Sequence, residues 1–200
     1  NRNARRKQSG SLIFWFKEFL DEVGHDNATL LMHTDPKDVH GQDLNEIIKY
    51  LGLEQGQVMF SQQKFPPEHL AILYNMADCT INVSDAEGFG LATLESMACE
   101  TPVLGSMTGG LQEQITYLDK VTHEYVVERN KESERVKVYE HGIGIHPISQ
   151  AIIGSQDVPY IYEDRLNKHD VVNALKTMYN MSKEERALMG AAGRQHVLKN

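Results

Sequence analysis

The sequence predicts an α/β chain with a Rossmann-like, doubly wound parallel sheet and helices on both faces. Three observations predict it. Helical and strand-like patterns alternate along most of the chain, the signature of a parallel sheet covered on both sides. No internal repeat or low-complexity tract interrupts that rhythm. A chain of 200 residues is long enough for one substantial α/β domain with a large core and too short for two of full size.

The elements follow in order. Residues 11–23 carry apolar side chains at 12, 13, 16, 19, 20 and 23, a helical stripe; Trp15 with Phe14, Phe16 and Phe19 reads as core or interdomain packing. Residues 28–33 read as a buried strand. Asp43 to Leu51 reads as a helix stopped by Gly52. Residues 57–60 form a short strand, and Pro66-Pro67 open a helix that runs to about Ala77. Residues 79–83 give the next strand, Ser84 to Gly90 an acidic loop with glycines, and Leu91 to Cys99 the helix it opens. Residues 102–104 are a further strand, followed by a Gly109-Gly110 turn. Residues 125–127 and 136–138 flank a charged tip, Glu128 to Arg135, expected as a surface hairpin. Residues 142–145 and 159–162 read as short strands. Two helices close the chain, 170–179 and 182–198, the second with Ser182 and Glu185 in capping-box spacing.

Composition excludes several classes. The net charge of −8 argues against a nucleic-acid binder, which needs a basic face. Against it, Arg2, Arg5, Arg6 and Lys7 concentrate positive charge, as a solvated leader or as an anion site. Two cysteines, Cys79 and Cys99, without paired spacing read as free thiols in a reducing compartment, so a cytoplasmic location is expected. No apolar run reaches the roughly 18–20 residues of a membrane span. Nine histidines show no metal-ligand spacing, and His141 with His146 reads as a solvated or satisfied pair; no metal and no cofactor is expected. No Gly-x-Ser-x-Gly elbow or P-loop is present, which disfavours a hydrolase or an NTPase. Three matches to the glycosylation acceptor pattern, at Asn27, Asn82 and Asn180, carry little weight, since Asn82 sits in a strand expected to be buried.

In a doubly wound sheet, ligands sit at the carboxyl ends of the strands. That rule directs attention to residues 82–91, residues 104–110 and the chain start. Gly88 and Gly90 allow a ligand close to the main chain. The helix start at Leu91 offers unpaired N–H groups and a positive dipole end, which suit a phosphate. Glu95 lies one turn on, about 6 Å along the axis, within reach of a ribose whose diphosphate rests at the helix tip. Glu87, before the helix, can accept hydrogen bonds from sugar hydroxyls. Spacing alone leaves a second reading open: a tight Gly-Phe-Gly turn with Phe89 in the core and Glu95 in solvent.

The stretch Glu87-Gly-Phe-Gly-Leu-Ala-Thr-Leu-Glu95 resembles the E-x7-E motif of glycosyltransferase family 4 and its GT-B relatives. Its setting agrees: Ala77-Asp78 before the strand, Ser96-Met-Ala-Cys99 in the helix, Thr101-Pro-Val103 after it, then Gly109-Gly-Leu-Gln-Glu113. Matches extend over residues 57–115, with Val58-Met-Phe60 and Leu70-Ala-Ile-Leu-Tyr74 leading in.

The resemblance implies one half of a GT-B fold, a single nucleotide-sugar-binding domain over residues 1–200 with a charged excursion at about 122–140. It implies the donor half of a retaining, metal-independent hexosyl-type glycosyltransferase. Glu95 would bind the donor ribose and Glu87 the transferred sugar. Gly88, Phe89, Gly90 and Leu91 would face the donor with main-chain groups, aided by Gly109 and Gly110. Arg2 and Lys7 would neutralise the diphosphate, with Arg5 or Arg6 able to substitute, and the base would rest near Met59. The partners implied are a nucleotide-sugar donor, an acceptor glycan, lipid or other hydroxyl, and an N-terminal acceptor domain. That domain and the family strand before Asn1 are not in the sequence, so the chain reads as a piece, inactive in transfer by itself and able to touch a membrane only through the absent part; the closing helix is expected to face that part.

The chain departs from the pattern at Glu100, where many relatives have Gly, in the length of the 122–140 excursion, and in a loose match at His141 to Pro147. Two other readings stand beside the main one: a nucleotide-sugar epimerase or phosphorylase of the same architecture, disfavoured by the E-x7-E pattern, and a non-catalytic interaction module, disfavoured by intact Glu87, Glu95, Arg2 and Lys7.

Overall fold

Apolar residues spaced three and four apart fold Ser9–Val23 into α1 and bury Leu12, Ile13, Phe16, Phe19 and Leu20. A computed structural model describes residues 2–118, 125–126, 128–129 and 135–200. Its contacts divide the chain into two units, Asn1–Lys64 and Phe65–Asn200.

In the first unit a single 3-10 turn, Arg5–Lys7, precedes α1. β1 (Leu30–His33), α2 (Leu44–Leu51) and β2 (Val58–Ser61) follow. β1 and β2 pair in parallel, Leu30 opposite Val58, with α2 as the crossover between them. Asp43 caps α2 by accepting from the backbone N–H groups of Asn45 and Glu46, at 3.1 and 3.3 Å. Gly52 closes the helix in the left-handed region, as its position after Leu51 predicted.

The second unit begins with α3 (Pro67–Met76), β3 (Thr80–Asn82), α4 (Leu91–Ala98), β4 (Val103–Ser106) and α5 (Leu111–Ile115). β5 (Tyr117–Leu118), β6 (Tyr125–Val126), β7 (Glu128–Arg129), β8 (Val136–Tyr139) and β9 (Gly142–Ile145) come next. β10 (Ser149–Ile152), β11 (Tyr162–Arg165), α6 (Lys168–Asn180) and α7 (Lys183–Lys199) complete it. A five-stranded sheet runs β3-β4-β9-β8-β7. β3, β4 and β9 are parallel, whereas β8 is antiparallel to β9 because the connection through Glu140 and His141 is too short for a crossover. Met97, Val103, Met107, Leu111, Ile115 and Tyr139 form a core cluster. α7 starts with the expected Ser182–Glu185 capping box and packs on α4, where a side chain at Gly190 would collide with the Glu100 backbone.

The expected α/β class holds, with parallel strands joined through helices. Several local expectations shift, among them the start of α1 at Ser9 rather than 11 and the added strand β10. The strand expected at 159–162 runs over Tyr162–Arg165 instead, antiparallel to β10 with Ser149 opposite Arg165. Pro159 has no N–H to give a ladder, and Tyr160 and Ile161 are exposed. A short helix, α5, follows Gly110 where only a turn was expected. α6 begins at Lys168, two residues before the expected start, because the Asn167 side chain accepts from Asp170 N at 2.8 Å. Of the charged excursion, Tyr125–Val126 pairs with β5 and Glu128–Arg129 with β8, while residues 119–124, 127 and 130–134, including most of the tip, lie outside the described residues. No helix among the described residues is long and apolar enough to cross a membrane.

Candidate donor-phosphate site

β3 ends at Asn82, and the chain turns through Asp85–Gly90 into α4. Side-chain and backbone donors from neighbouring elements hold this loop by its carbonyl groups. Ser106 Oγ donates to Ser84 O at 2.7 Å, Asp164 N to Asp85 O at 2.8 Å, Gly110 N to Glu87 O at 3.1 Å and Gln114 Nε2 to Phe89 O at 2.5 Å. Asn82 works from below: its Oδ1 accepts from Ser84 Oγ at 2.6 Å and its Nδ2 donates to Thr93 Oγ1 at 3.3 Å, joining strand end to helix. With the carbonyls turned inward, the N–H groups of Gly88, Phe89, Gly90, Leu91 and Ala92 donate to nothing among the described residues. Five consecutive free donors at a helix start concentrate positive potential there.

The glycines have separate reasons. Gly90, at φ 88°, takes a left-handed conformation that a side chain resists, and its site is walled by Leu111. Gly109 and Gly110 are flush against the loop, so a Cβ on the first would strike Glu87 O and on the second Gly88 O. Their observed contact is therefore with the loop backbone. Gly88 is exposed, and a Cβ there would meet nothing within 4 Å.

Phe89 and Leu91, both exposed, stand at the helix tip, so Phe89 does not belong to the core as the alternative reading had it. Glu87 is half-buried and Glu95 exposed. The Tyr74 hydroxyl, from the last turn of α3, donates to Glu95 Oε2 at 2.8 Å. Burial, reinforced by that carboxylate, raises the Tyr74 phenol well above its usual range, so it stays a donor.

Beneath the loop lies a charged cluster that sequence reading missed. Asp85 and Glu163, each 3% exposed, both pair with the Arg165 guanidinium, at 2.8 and 3.0 Å. Glu163 and Arg165 are neighbours on β11, but Asp85 lies eighty positions before Arg165, and no spacing rule connects it to them.

In the first unit, the basic start is anchored along its backbone, while Arg2, Arg5 and Arg6 stay exposed. Asn3 is buried and donates to Gln42 O at 2.8 Å, and Arg5 N donates to His40 O at 3.1 Å. The Arg2 guanidinium pairs with Asp38 Oδ2 at 2.8 Å and lies 2.5 Å from His40 Nδ1. Hydrogen bonds from Arg2 and then from the His40 backbone hold the Asp38 carboxyl well below the usual carboxylate range. Lys7 is half-buried at the end of the 3-10 turn, and Met59 is exposed on β2. Among the described residues no cluster of His, Cys, Asp and Glu could hold a metal ion.

A family model described as Glycosyl transferases group 1 matches residues 37–137. Among curated proteins, N-acetyl-alpha-D-glucosaminyl L-malate synthase from Bacillus anthracis is 34% identical over 74 residues, which are 37% of this chain and 18% of that protein. Among solved structures, the C-terminal domain of a glycosyl transferase group 1 family protein from Francisella tularensis aligns with a TM-score of 0.63 at 18% identity, covering 100% of this chain and 82% of that one. TarM from S. aureus, solved in complex with Fondaparinux, alpha-GlcNAc-glycerol and UDP, aligns with a TM-score of 0.67 at 17% identity over 100% of this chain and 31% of that one. The match thus spans less than a fifth of the curated relative's length. The fold is that of Rossmann-like GT-B neighbours.

Proposed function

The chain belongs to the glycosyl transferases group 1 family, and from that premise we propose that it is the donor-binding half of a retaining, hexosyl-type glycosyltransferase of the family 4 kind. Its substrate is a nucleoside-diphosphate sugar, whose sugar passes to the hydroxyl of an acceptor glycan, lipid or other molecule bound on an N-terminal domain. The observation that carries the reading is the run of free N–H groups from Gly88 to Ala92, with an acidic side chain at either end, Glu87 and Glu95.

The chemistry follows from charge. As the bond between the anomeric carbon and the diphosphate lengthens, negative charge grows on the phosphate oxygens. Donors already aimed at that position stabilise it without reorganising, the largest single contribution in many enzymes. The loop is suited to this because its carbonyls are tied back, so its amides cannot turn away. Arg2 and Lys7 add positive charge in this reading, which lets the reaction run without a divalent ion; the role rests on the sequence resemblance. Glu87 accepts hydroxyls of the transferred sugar, Glu95 accepts the ribose hydroxyls, and the base rests near Met59. Gly88 leaves room for the diphosphate, while Gly109 and Gly110 keep the loop in shape.

Calorimetry with a panel of UDP-, GDP- and ADP-linked sugars, with EDTA present, tests the proposal. One donor class binding, at micromolar to millimolar Kd, and losing at least tenfold with Glu95→Ala is the expected result. Failure of every donor to bind, or undiminished binding by the variant, refutes it.

A further inference from the structure

Glu95 alone is a poor ribose clamp. It is exposed one turn into α4, and a glutamate in solvent spreads over many rotamers that binding would have to collapse. The structure removes part of that freedom. Tyr74 is half-buried and fixed at both ends: Thr101 Oγ1 donates to its carbonyl at 2.8 Å, and its own hydroxyl donates to Glu95 Oε2 at 2.8 Å. Thr101 lies just before β4 and is itself buried, so α3 is pinned to the sheet at the residue that reaches the carboxylate.

We infer that Tyr74 is a positioning residue that presets the Glu95 carboxylate for a vicinal diol, making this site select nucleotides with both ribose hydroxyls. The inference rests on the proposed donor-binding role of Glu95. A carboxylate has about four lone-pair sites, and a phenol occupies one of them on Oε2. Oε1, which accepts no hydrogen bond among the described residues, and the second site on Oε2 are left for two neighbouring hydroxyl donors. The phenol holds the carboxylate plane while taking none of the acceptor capacity the diol needs. Burial keeps Tyr74 protonated across the physiological range, so the arrangement persists with pH.

Tyr74→Phe deletes only the hydroxyl and keeps the half-buried ring. The test measures Kd by calorimetry for UDP, GDP and ADP and for the 2′,3′-dideoxy form of whichever binds best, on wild type, Tyr74→Phe, Glu95→Ala and the double variant. Thermal midpoints of all four accompany it. The expected result is about fivefold weaker binding of the ribonucleotide by Tyr74→Phe, the scale of ordering one flexible side chain. No change is expected for the dideoxy nucleotide, and none from adding Tyr74→Phe to Glu95→Ala. Equal weakening of both nucleotides, or weakening that persists without Glu95, shows a merely structural tyrosine and overturns the inference. So does Tyr74→Phe binding like wild type while Glu95→Ala binds poorly, an outcome that leaves the donor-binding reading standing. Absence of binding by wild type to all three nucleotides overturns both.

Discussion

Gly110→Ala isolates the steric demand of the loop from backbone strain. Gly110 sits at φ −67°, ψ −13°, an ordinary right-handed conformation that alanine adopts freely. By itself that exchange stabilises a protein by about 0.4–1 kcal/mol through the unfolded state. Here, however, the new Cβ strikes Gly88 O and comes 3.0 Å from Phe89 Cα, both backbone atoms of the loop. No flexible side chain can yield, so the loop shifts by something on the order of 1 Å, at the about 1–3 kcal/mol typical of overpacking. Net destabilisation is then about 1–2 kcal/mol, or roughly 2–8 °C in thermal midpoint for a chain of this size. The effect on ligand is larger. The shifted segment carries the free amides of Gly88 and Phe89, and each charge-assisted hydrogen bond lost costs about 1.5–3 kcal/mol, at least tenfold in Kd. Gly88→Ala gives the contrast, because a Cβ there meets nothing within 4 Å of the protein. It should leave the midpoint within about 2 °C of wild type and still abolish nucleotide binding by filling the space a diphosphate needs. Differential scanning fluorimetry and calorimetry on the two variants check this. A Gly110→Ala protein with wild-type midpoint and wild-type affinity would show that the glycine pair does not set the loop, and the reasoning fails.

The buried charges should show the cost of an orphaned partner. Arg165→Ala removes the cation that the buried Asp85 and Glu163 carboxylates share, and about 2–4 kcal/mol should be lost in urea unfolding, discounted because the guanidinium is partly exposed; a change under about 0.5 kcal/mol contradicts the network's role. Glu100→Gly should instead stabilise by roughly 0.5–1 kcal/mol, since Glu100 holds φ 60°, which only glycine adopts without strain; denaturant midpoints decide the sign. Burial pushes His141, His146 and His196 below the ordinary imidazole value, with neighbouring His196 adding to the first and Lys137 to the second. The unfolded chain therefore binds more protons on acidification, so this stability is whole above about pH 6.5 and declines as pH falls through the lowered folded values. A thermal midpoint that rises between pH 7 and pH 5 contradicts the assignment. Burial, aided by the charge of Asp78, pushes the Cys79 thiol up to about 12, so iodoacetamide at pH 8 should modify it only after denaturation; mass spectrometry of peptides labelled in native buffer reads the result.

What the sequence determined by itself is local. The alternation of apolar runs with amphipathic stretches fixed the α/β class, because backbone hydrogen bonding and burial leave few other ways to hide such runs. Gly52 after Leu51, Ser182 with Glu185, and Gly90 before Leu91 each marked a helix end, since caps act within four residues. The family was legible in residues 57–115 for the same reason, that loop, helix and flanking strands lie close together along the chain. Tertiary structure alone decided what surrounds the loop. Tyr74 reaching Glu95, Arg165 reaching Asp85, Gln114 holding Phe89 O, and Gly109 with Gly110 lying against Glu87 and Gly88 all join elements separated in sequence. Such contacts depend on how helices and strands pack, and packing has no periodicity for a sequence to display. The start of the chain shows both sides. Its basic residues were plain in the sequence, but the pairing of Arg2 with Asp38 required the fold to bring a carboxylate back across thirty-six positions.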